Sequence, residues 1–303
     1  MTKNEKELLE DWIKYHGFVF GLQNLSVLDG SNDPLIEDIY AKYQPMGLDV
    51  VRTSTNLNGL AKELTELIHA RKSDHDFVIK LDTDEFLAMA SDVGDTERQV
   101  TATGIDAMLS DLPRTGQRYR AGFTQWSLPH RDYVSAPARD IVDFTPLQET
   151  DILKALFHAG SFIETDLGCH VGKTIQNEGF INTPLTLIHY HSTSIPDAMR
   201  RAKQVLVSHE YIGASDTEVE QIEKLQKLSG KRRNSYHKIA LYLQYLTSRQ
   251  SGEAFPLSTL NEAHPFYEKT QERQRLSLVR DVLLQADEYF AEGRADEVAD
   301  HTS

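Results

Sequence analysis

Apolar residues in the first 86 positions follow two spacings, one helical and one typical of strands. Short apolar runs at 25–28, 48–52 and 77–81 predict strands, and helical patterns at 35–43 and 60–68 separate them. An amphipathic helix comes first, with five residues on one face: Leu8, Leu9, Trp12, Ile13 and His16. Helices and strands that alternate at this spacing favour parallel pairing with right-handed crossovers. The pattern predicts an α/β fold with a mostly parallel sheet flanked by helices.

The regular alternation ends after Ala90. A polar stretch at 91–103, a short helix near 105–109 and a half-exposed strand at 119–123 follow it. Residues 129–150 have the composition of a long loop, which is usually a functional segment. Further strands are expected between 152 and 188.

Beyond His191 the pattern is helical to the end, with a long charged helix expected from about Glu268 to Glu292. The chain is therefore expected to divide into a domain at 1–195 and a helical C-terminal region at 196–303.

Composition narrows the function classes. The chain has 303 residues and a formal net charge of −14, which argues against a general nucleic-acid binder. Its one cysteine, Cys169, excludes an intrachain disulfide and fits a reducing compartment. The charged N-terminal residues lack the apolar core of a signal peptide. Because no run reaches the roughly 20 apolar residues that span a bilayer, we expect a cytoplasmic protein without a transmembrane segment. Peripheral membrane contact stays open.

Three carboxylates follow the strand at 77–81. Asp82 and Asp84 are hard oxygen donors at its end, where open α/β sheets bind ligands. Two converging carboxylates repel each other unless a cation or a proton lies between them. The stretch therefore predicts either a divalent-metal site that also holds a phosphate or an acidic turn after a strand.

Two histidines lie in a later apolar stretch. His189 and His191 project to the same face if this segment is a strand. Two imidazoles on one face can bind a metal or contact a phosphate, although a buried histidine is often only a core residue.

Two further polar clusters are candidates for chemistry. Glu164, Asp166 and His170 lie within seven residues, and one of them can accept the proton of an attacking hydroxyl; the alternative is a polar loop. Asp29 opens a turn after an early strand and can accept hydrogen bonds from a ribose or a base edge. No Walker loop or Gly-x-Gly-x-x-Gly fingerprint is present in the sequence.

Four stretches in this order resemble the family-2-like glycosyltransferases of the GT-A fold. They are Lys3 to His16, with its Lys-Asn-Glu and Trp-Ile-x-Tyr-His patterns, then Asp29 to Asp33, Asp82 to Phe86, and His189 to His191. The resemblance covers roughly the first 195 residues and implies a GT-A-like, Rossmann-like sheet.

The resemblance also implies a hexosyltransferase-like activity. It implies a UDP- or GDP-sugar donor, a glycan or glycolipid acceptor, and transfer with inversion. A Mn²⁺ or Mg²⁺ ion would be held by Asp82, Asp84 and His189. The residues expected to line the donor site are Asn4, Glu5, Asp29, Ser31, Arg52, Asn58, Asp82 and His191. Asp166 would be the base, with Glu164 and His170 as rivals.

One departure from the family keeps a second function open. Family members have a strand before the Lys-Asn-Glu segment, and here Met1 lies two residues before Lys3. The alternative is therefore a non-catalytic binding or assembly subunit that lacks the first strand of the nucleotide site. A phosphatase that uses the Asp-x-Asp pair is disfavoured, because such enzymes carry the pair on their first strand and need a downstream lysine.

Overall fold

The computed structural model describes residues 2, 5–55, 57–93, 97–127, 138–147, 153–176, 179–191, 194–229, 235–255 and 274–293. Over these residues the chain is an α/β protein with a mixed sheet flanked by helices. The helices are α1 (Lys6–Phe20), α2 (Pro34–Tyr43), α3 (Leu57–Arg71), α4 (Ile105–Asp111), α5 (Ile195–Ser208), α6 (Glu218–Leu228), α7 (Tyr236–Ser251) and α8 (Leu278–Ala291).

The strands follow in the same chain order. They are β1 (Ser26–Asp29), β2 (Asp49–Arg52), β3 (Phe77–Ile79), β4 (Glu85–Val93), β5 (Glu97–Thr101), β6 (Arg118–Ser127), β7 (Asp143–Pro146), β8 (Lys154–His158), β9 (Phe162–Glu164), β10 (Lys173–Thr174), β11 (Phe180–His189) and β12 (Gln274–Arg275).

The first crossover forms as its sequence predicts. The Asp33 carboxylate caps α2 by accepting the Leu35 N–H at 3.0 Å, and Pro34 occupies the first turn. This helix connects β1 to β2, which pair in parallel and end together at Asp29 and Arg52. The carboxyl ends of both strands therefore meet at one edge.

Thr2 extends this small sheet by one residue. Its N–H donates to the Leu28 carbonyl at 3.0 Å, and its own carbonyl accepts the Gly30 N–H at 3.1 Å. The next carbonyl along β1, that of Asp29, accepts the Thr53 N–H from the β2 side. Because consecutive carbonyls of a strand face opposite edges, Thr2 lies on the edge of β1 away from β2.

The large sheet is mixed, whereas the sequence predicts a mostly parallel one. Its order is β12-β7-β6-β11-β4-β5, with β8 between β6 and β3. Parallel pairing occurs at β1–β2 and β6–β11, and the other strand pairs of the described chain are antiparallel. The strand–helix alternation stops at β3. Beyond it, short connections such as the one from β4 to β5 allow only antiparallel neighbours.

Two stretches expected to be irregular contain strands. The polar stretch at 91–103 holds the end of β4 and all of β5. The expected loop at 129–150 holds β7, whose Phe144 is fully buried, while 128–137 and 148–150 lie outside the described residues. Polar residues on an edge strand obscure the strand pattern, because one of its faces stays in solvent.

The main core lies between α1 and the sheet. Phe86 of β4 is fully buried, with its ring centroid 5.2 Å from Tyr15 of α1 and 5.1 Å from Tyr190 after β11, both in edge-to-face contact. Leu9 and Ile13 of α1 are fully buried in the same cluster. Each such side chain contributes about 1.5–3 kcal/mol by leaving water, so α1 is held firmly over β4.

The helical C-terminal region divides between two cores. Helices α5, α6 and α7 bury their apolar faces against one another, through residues such as Met199, Leu225 and Leu246. In contrast, α8 packs on α1 and adds Val282 and Leu283 to the main core. The helix expected from Glu268 begins at Leu278, and residues 274–275 form β12 beside β7, while 268–273 lie outside the described residues.

Among the helices that the structure describes, none is both long and apolar enough to cross a membrane.

Candidate functional site

Side chains of α1 fix the start of β4. The Trp12 Nε1–H donates to the Glu85 carbonyl at 3.0 Å, and the Tyr15 hydroxyl donates to the Leu87 carbonyl at 2.9 Å. His16 Nε2 accepts the Leu87 N–H at 3.2 Å, so its Nδ1–H donates to the Trp12 carbonyl at 3.0 Å. On this edge of β4, strand β5 pairs only from Met89 onward. The Trp-Ile-x-Tyr-His pattern therefore satisfies backbone groups that no strand pairs.

The acidic turn before β4 closes on itself. The Asp82 N–H donates to the Glu85 carboxylate at 2.8 Å, and the Glu85 N–H donates to the Asp82 carbonyl at 3.0 Å. The Tyr190 N–H donates to the Asp84 carbonyl at 2.7 Å, which brings the adjacent His189 beside the turn. Glu85 thus shapes the turn from which Asp82 and Asp84 project.

Two buried lysines hold Asp82. Lys80 Nζ donates to one carboxylate oxygen at 2.5 Å, and Lys154 Nζ donates to the other at 3.1 Å. Lys154 also lies 2.9 Å from the Glu85 carboxylate. Burial acts to raise the pKa of Asp82, but the charges of Lys154 and Lys80 hold that pKa well below its usual value. Asp82 is therefore ionised and already neutralised by the chain itself.

Asp84 is held by a different pair of groups. Arg201 of α5 donates through Nη1 to its Oδ2, and His189 Nε2 lies 3.4 Å from the same oxygen. Burial opposes ionisation, but Arg201 and His189 lower the pKa of Asp84. Burial likewise acts to lower the pKa of His189, yet the Asp84 charge outweighs it and raises that pKa. The imidazole and the carboxylate thus favour each other's charged form at the base of the site.

The two histidines lie side by side, as their spacing predicts. The rings of His189 and His191 are 5.4 Å apart between centroids, and both pack against Trp126, at 5.3 and 4.2 Å. His189 Nδ1 is buried and makes no hydrogen bond with the residues that the structure describes.

These groups open into one cleft of about 400 Å³. One wall comes from the strand ends and the acidic turn, and the other from α5 and α7. The cleft is lined by Thr2, Glu5, Gly30, Thr53, Ser54, Thr55, Leu60, Asp82, Thr83, Asp84, His189, His191, Arg201, Gln204, Val205, Ser208 and Lys238.

The predicted group at the end of β1 is assembled next to this cleft. The Asp29 carboxylate accepts the Ser31 hydroxyl at 2.5 Å and pairs with Arg52 through its other oxygen. Arg52 also pairs with Glu37 and lies over the Tyr40 ring at 4.9 Å. Asp29, Ser31 and Arg52 are therefore brought together, just behind the Gly30 and Thr53 positions of the cleft wall. Of the other predicted contacts, Asn4 and the Asn58 side chain lie outside the described residues.

Glu5 is a predicted donor-site residue whose pKa is raised well above its usual value. It is buried, and its carboxylate lies 2.9 Å from Arg200 and 3.3 Å from Arg201. Burial raises its pKa to about 7, against the opposing charges of Arg201 and Arg200. With Glu7 and Asp197 it forms a set of three carboxylates close enough to hold a cation. Arg200 Nη2 contacts all three, at 2.6 to 3.3 Å, so a guanidinium takes that place.

None of the three predicted base residues lines the cleft. Both Asp166 oxygens accept backbone N–H groups of residues 170–172, at 2.8 to 3.1 Å; although burial opposes it, these bonds lower the pKa of Asp166. Glu164 is exposed and pairs with Lys173 at 2.5 Å, and exposed His170 contacts the Leu153 carbonyl through Nδ1 at 2.7 Å. This geometry gives Asp166 a role in shaping its turn, and its role as a base stays a prediction.

Sequence reasoning missed the cations of the site. Lys80 and Lys154 carried a usable signal, because each interrupts an otherwise apolar strand and a buried lysine needs a carboxylate partner. Arg201 and Lys238 carried none, because basic residues on a helix are usually solvated. Only the packing of α5 and α7 against the strand ends brings them to Asp84.

Comparison with known proteins adds no relative. No model of a known protein family matches this chain. A search of curated proteins likewise finds no match.

Proposed function

We propose that this chain binds a nucleoside diphosphate sugar in the cleft and transfers the sugar to a hydroxyl of a glycan or glycolipid. The proposal extends to a GT-A-like fold of the family-2-like type and to inversion at the sugar carbon. One observation carries it: the acidic turn, the His189–His191 pair and the ends of β1 and β2 all open into a single cleft of about 400 Å³. Ligands of α/β proteins bind at such strand ends.

The donor set fits a divalent cation in part. Asp84 Oδ2 and His189 Nε2 converge to 3.4 Å, and Mg²⁺ or Mn²⁺ prefers carboxylate oxygen and accepts imidazole. In contrast, both Asp82 oxygens face ammonium groups, which would repel a cation. Arg201 also donates to Asp84 Oδ2, so an ion held by Asp84 and His189 would take the place of that guanidinium contact, and Asp82 would order the turn. Such an ion neutralises the charge that develops on a departing diphosphate.

Other residues of the chain would bind the nucleoside and accept the proton of the acceptor hydroxyl. The end of β1, with Asp29 and Arg52 behind Gly30, would hold the nucleoside. The acceptor oxygen would attack the sugar carbon while the bond between that carbon and the diphosphate breaks. The proton of the acceptor hydroxyl would pass to a base. Besides the predicted Asp166, Glu5 is a candidate for that base, because it lines the cleft and has a pKa of about 7.

A second function is favoured by the charge pairing. Asp82 is neutralised by two lysines and Asp84 by Arg201, and the predicted base residues lie away from the cleft. A non-catalytic subunit that binds a nucleotide or assembles with a glycosyltransferase would have this arrangement. It would bind without turnover, whereas the transferase consumes the donor.

The deciding experiment combines binding with turnover. We expect UDP or GDP with Mn²⁺ to raise the melting temperature of the wild type, because a ligand that binds only the native state stabilises it. Asp84→Asn should abolish the part of that shift that needs Mn²⁺. Asp76→Asn is the matched control, since Asp76 is exposed at the start of β3 and pairs with Arg114.

Turnover is measured on the same proteins with a panel of UDP- and GDP-sugars. Donor consumption that Asp84→Asn removes supports the transferase. Binding without any consumption supports the non-catalytic subunit. No stabilisation by any nucleotide contradicts both the transferase and a nucleotide-binding subunit.

A further inference from the structure

Lys238 is a cation on the wall of the cleft. It lies on α7 and lines the cleft, and it makes no ion pair with any carboxylate of the described chain. The nearby carboxylates are already engaged: Asp84 pairs with Arg201 and His189, and Asp197 pairs with Arg200 and Arg201. Burial, together with the charge of Arg201, lowers the pKa of Lys238 to about 8. Among the described residues, the charges of Asp84 and Asp197 offset this burial cost only in part.

Two more donors of the cleft are unsatisfied. His189 Nδ1 is buried and has no hydrogen-bond partner in the described part of the chain. Arg201 Nη2 is also buried; it lies 3.3 Å from a Glu5 oxygen but outside hydrogen-bond geometry. Buried polar groups in folded proteins are nearly always hydrogen-bonded, and the exceptions often mark a missing partner. Three such donors around one cleft call for a ligand that is rich in acceptor oxygens and negatively charged.

We propose that Lys238 and Arg201 bind the phosphate groups of the ligand, so that the C-terminal helices form the phosphate-binding wall of the cleft. A phosphate offers several acceptor oxygens, and lysine binds it as a point charge while arginine adds a planar pair of donors. Arg201 can do so through Nη2 while Nη1 stays on Asp84. The assignment of that phosphate to a nucleoside diphosphate rests on the proposed function.

In this arrangement, α5 and α7 would contribute to the transfer reaction as well as to binding. Lys238, on the wall formed by α5 and α7, would stabilise the negative charge that develops on a departing diphosphate. Asp84 and His189 lie on the opposite wall. The phosphate contact would also be retained without any divalent cation. That independence separates this proposal from the metal assignment.

The test uses inorganic pyrophosphate and UDP in EDTA, measured by calorimetry on the full chain. The wild type should bind both, and Lys238→Met should weaken each by about tenfold or more, as expected for the loss of a charge-assisted contact. Lys238→Arg should retain binding because it keeps the charge. Lys227→Met is the control, since Lys227 is exposed on α6. If Lys238→Met does not fold, Lys238→Gln takes its place.

Equal affinity of wild type and Lys238→Met would overturn the proposal, and so would an absence of pyrophosphate and UDP binding in the wild type. The outcome differs from a failure of the proposed function. Binding that depends on Lys238, with no sugar donor consumed, leaves this phosphate site standing and removes the transferase. If Lys238→Met consumes the sugar donor at the wild-type rate, the transferase stands and this phosphate site is removed.

Discussion

The two walls of the cleft differ in how their charges are balanced. On the sheet wall, Asp82 is paired with Lys80 and Lys154, and the backbone of the turn is fixed by α1. On the helical wall, Lys238 has no ion pair among the described residues. A compensated wall contributes to the stability of the fold, whereas an uncompensated wall is available to a ligand. This contrast predicts that substitutions on the two walls affect different measurements.

The largest expected effect on stability comes from the sheet wall. Lys154→Met should lower the free energy of unfolding by about 3–5 kcal/mol, because it leaves the buried Glu85 carboxylate without a counter-charge among the described residues and Asp82 with Lys80 alone. Chemical denaturation monitored by circular dichroism measures it. Lys173→Met is the matched control: its pair with Glu164 is about half exposed, and exposed pairs contribute about 0–1 kcal/mol.

Equal losses for Lys154→Met and Lys173→Met would contradict the contrast between the walls. Asp82 would then be a solvated turn residue and not part of a compensated cluster.

The next effect is a dependence on pH that originates at His16, behind the sheet wall. His16 is fully buried, and burial lowers its pKa to about 3 from an ordinary value of 6.5. The native state keeps it neutral, while the unfolded chain takes up a proton below pH 6.5. Its contribution to stability is therefore complete above pH 6.5 and is lost as pH falls from 6.5 toward 3, at up to about 1.4 kcal/mol per pH unit.

The difference in unfolding free energy between wild type and His16→Gln isolates this group, because the other titrating residues are common to both proteins. Wild type should lose stability more steeply than His16→Gln between pH 6 and pH 4. Parallel curves would mean that His16 is protonated in the folded protein. The hydrogen bond from the Leu87 N–H to its Nε2 could not then exist.

How well the sequence predicts the structure also differs between the two walls of the cleft. The sequence predicts β1, β2, β3 and the helices between them closely, because apolar spacing there is set by local burial. The family resemblance also predicts that Asp82, Asp84 and His189 share one site, and all three line the cleft. Strands β5 and β12, at the two edges of the large sheet, are missed because polar residues on edge strands weaken the apolar pattern.

The sequence does not predict which cations pair with these carboxylates, and the reason is different. Arg201 lies 117 residues from Asp84 along the chain, and only the packing of α5 brings the two together. Asp166 illustrates a different limit of local patterns, and its role as a base stays a prediction. Its residue type suited a base, but three backbone N–H groups occupy its oxygens, and no local pattern indicates that turn.

The smallest expected effect on stability comes from the helical wall. Lys238→Met should leave the free energy of unfolding unchanged or raise it by about 0–1 kcal/mol, because it removes a desolvated charge that makes no ion pair with a described residue and keeps the aliphatic stem. Thermal and chemical unfolding without ligand measure it. A loss as large as that of Lys154→Met would show that Lys238 has a structural partner and would end its assignment to a ligand. Unchanged stability combined with lost pyrophosphate affinity is the result that only an uncompensated, ligand-facing wall produces.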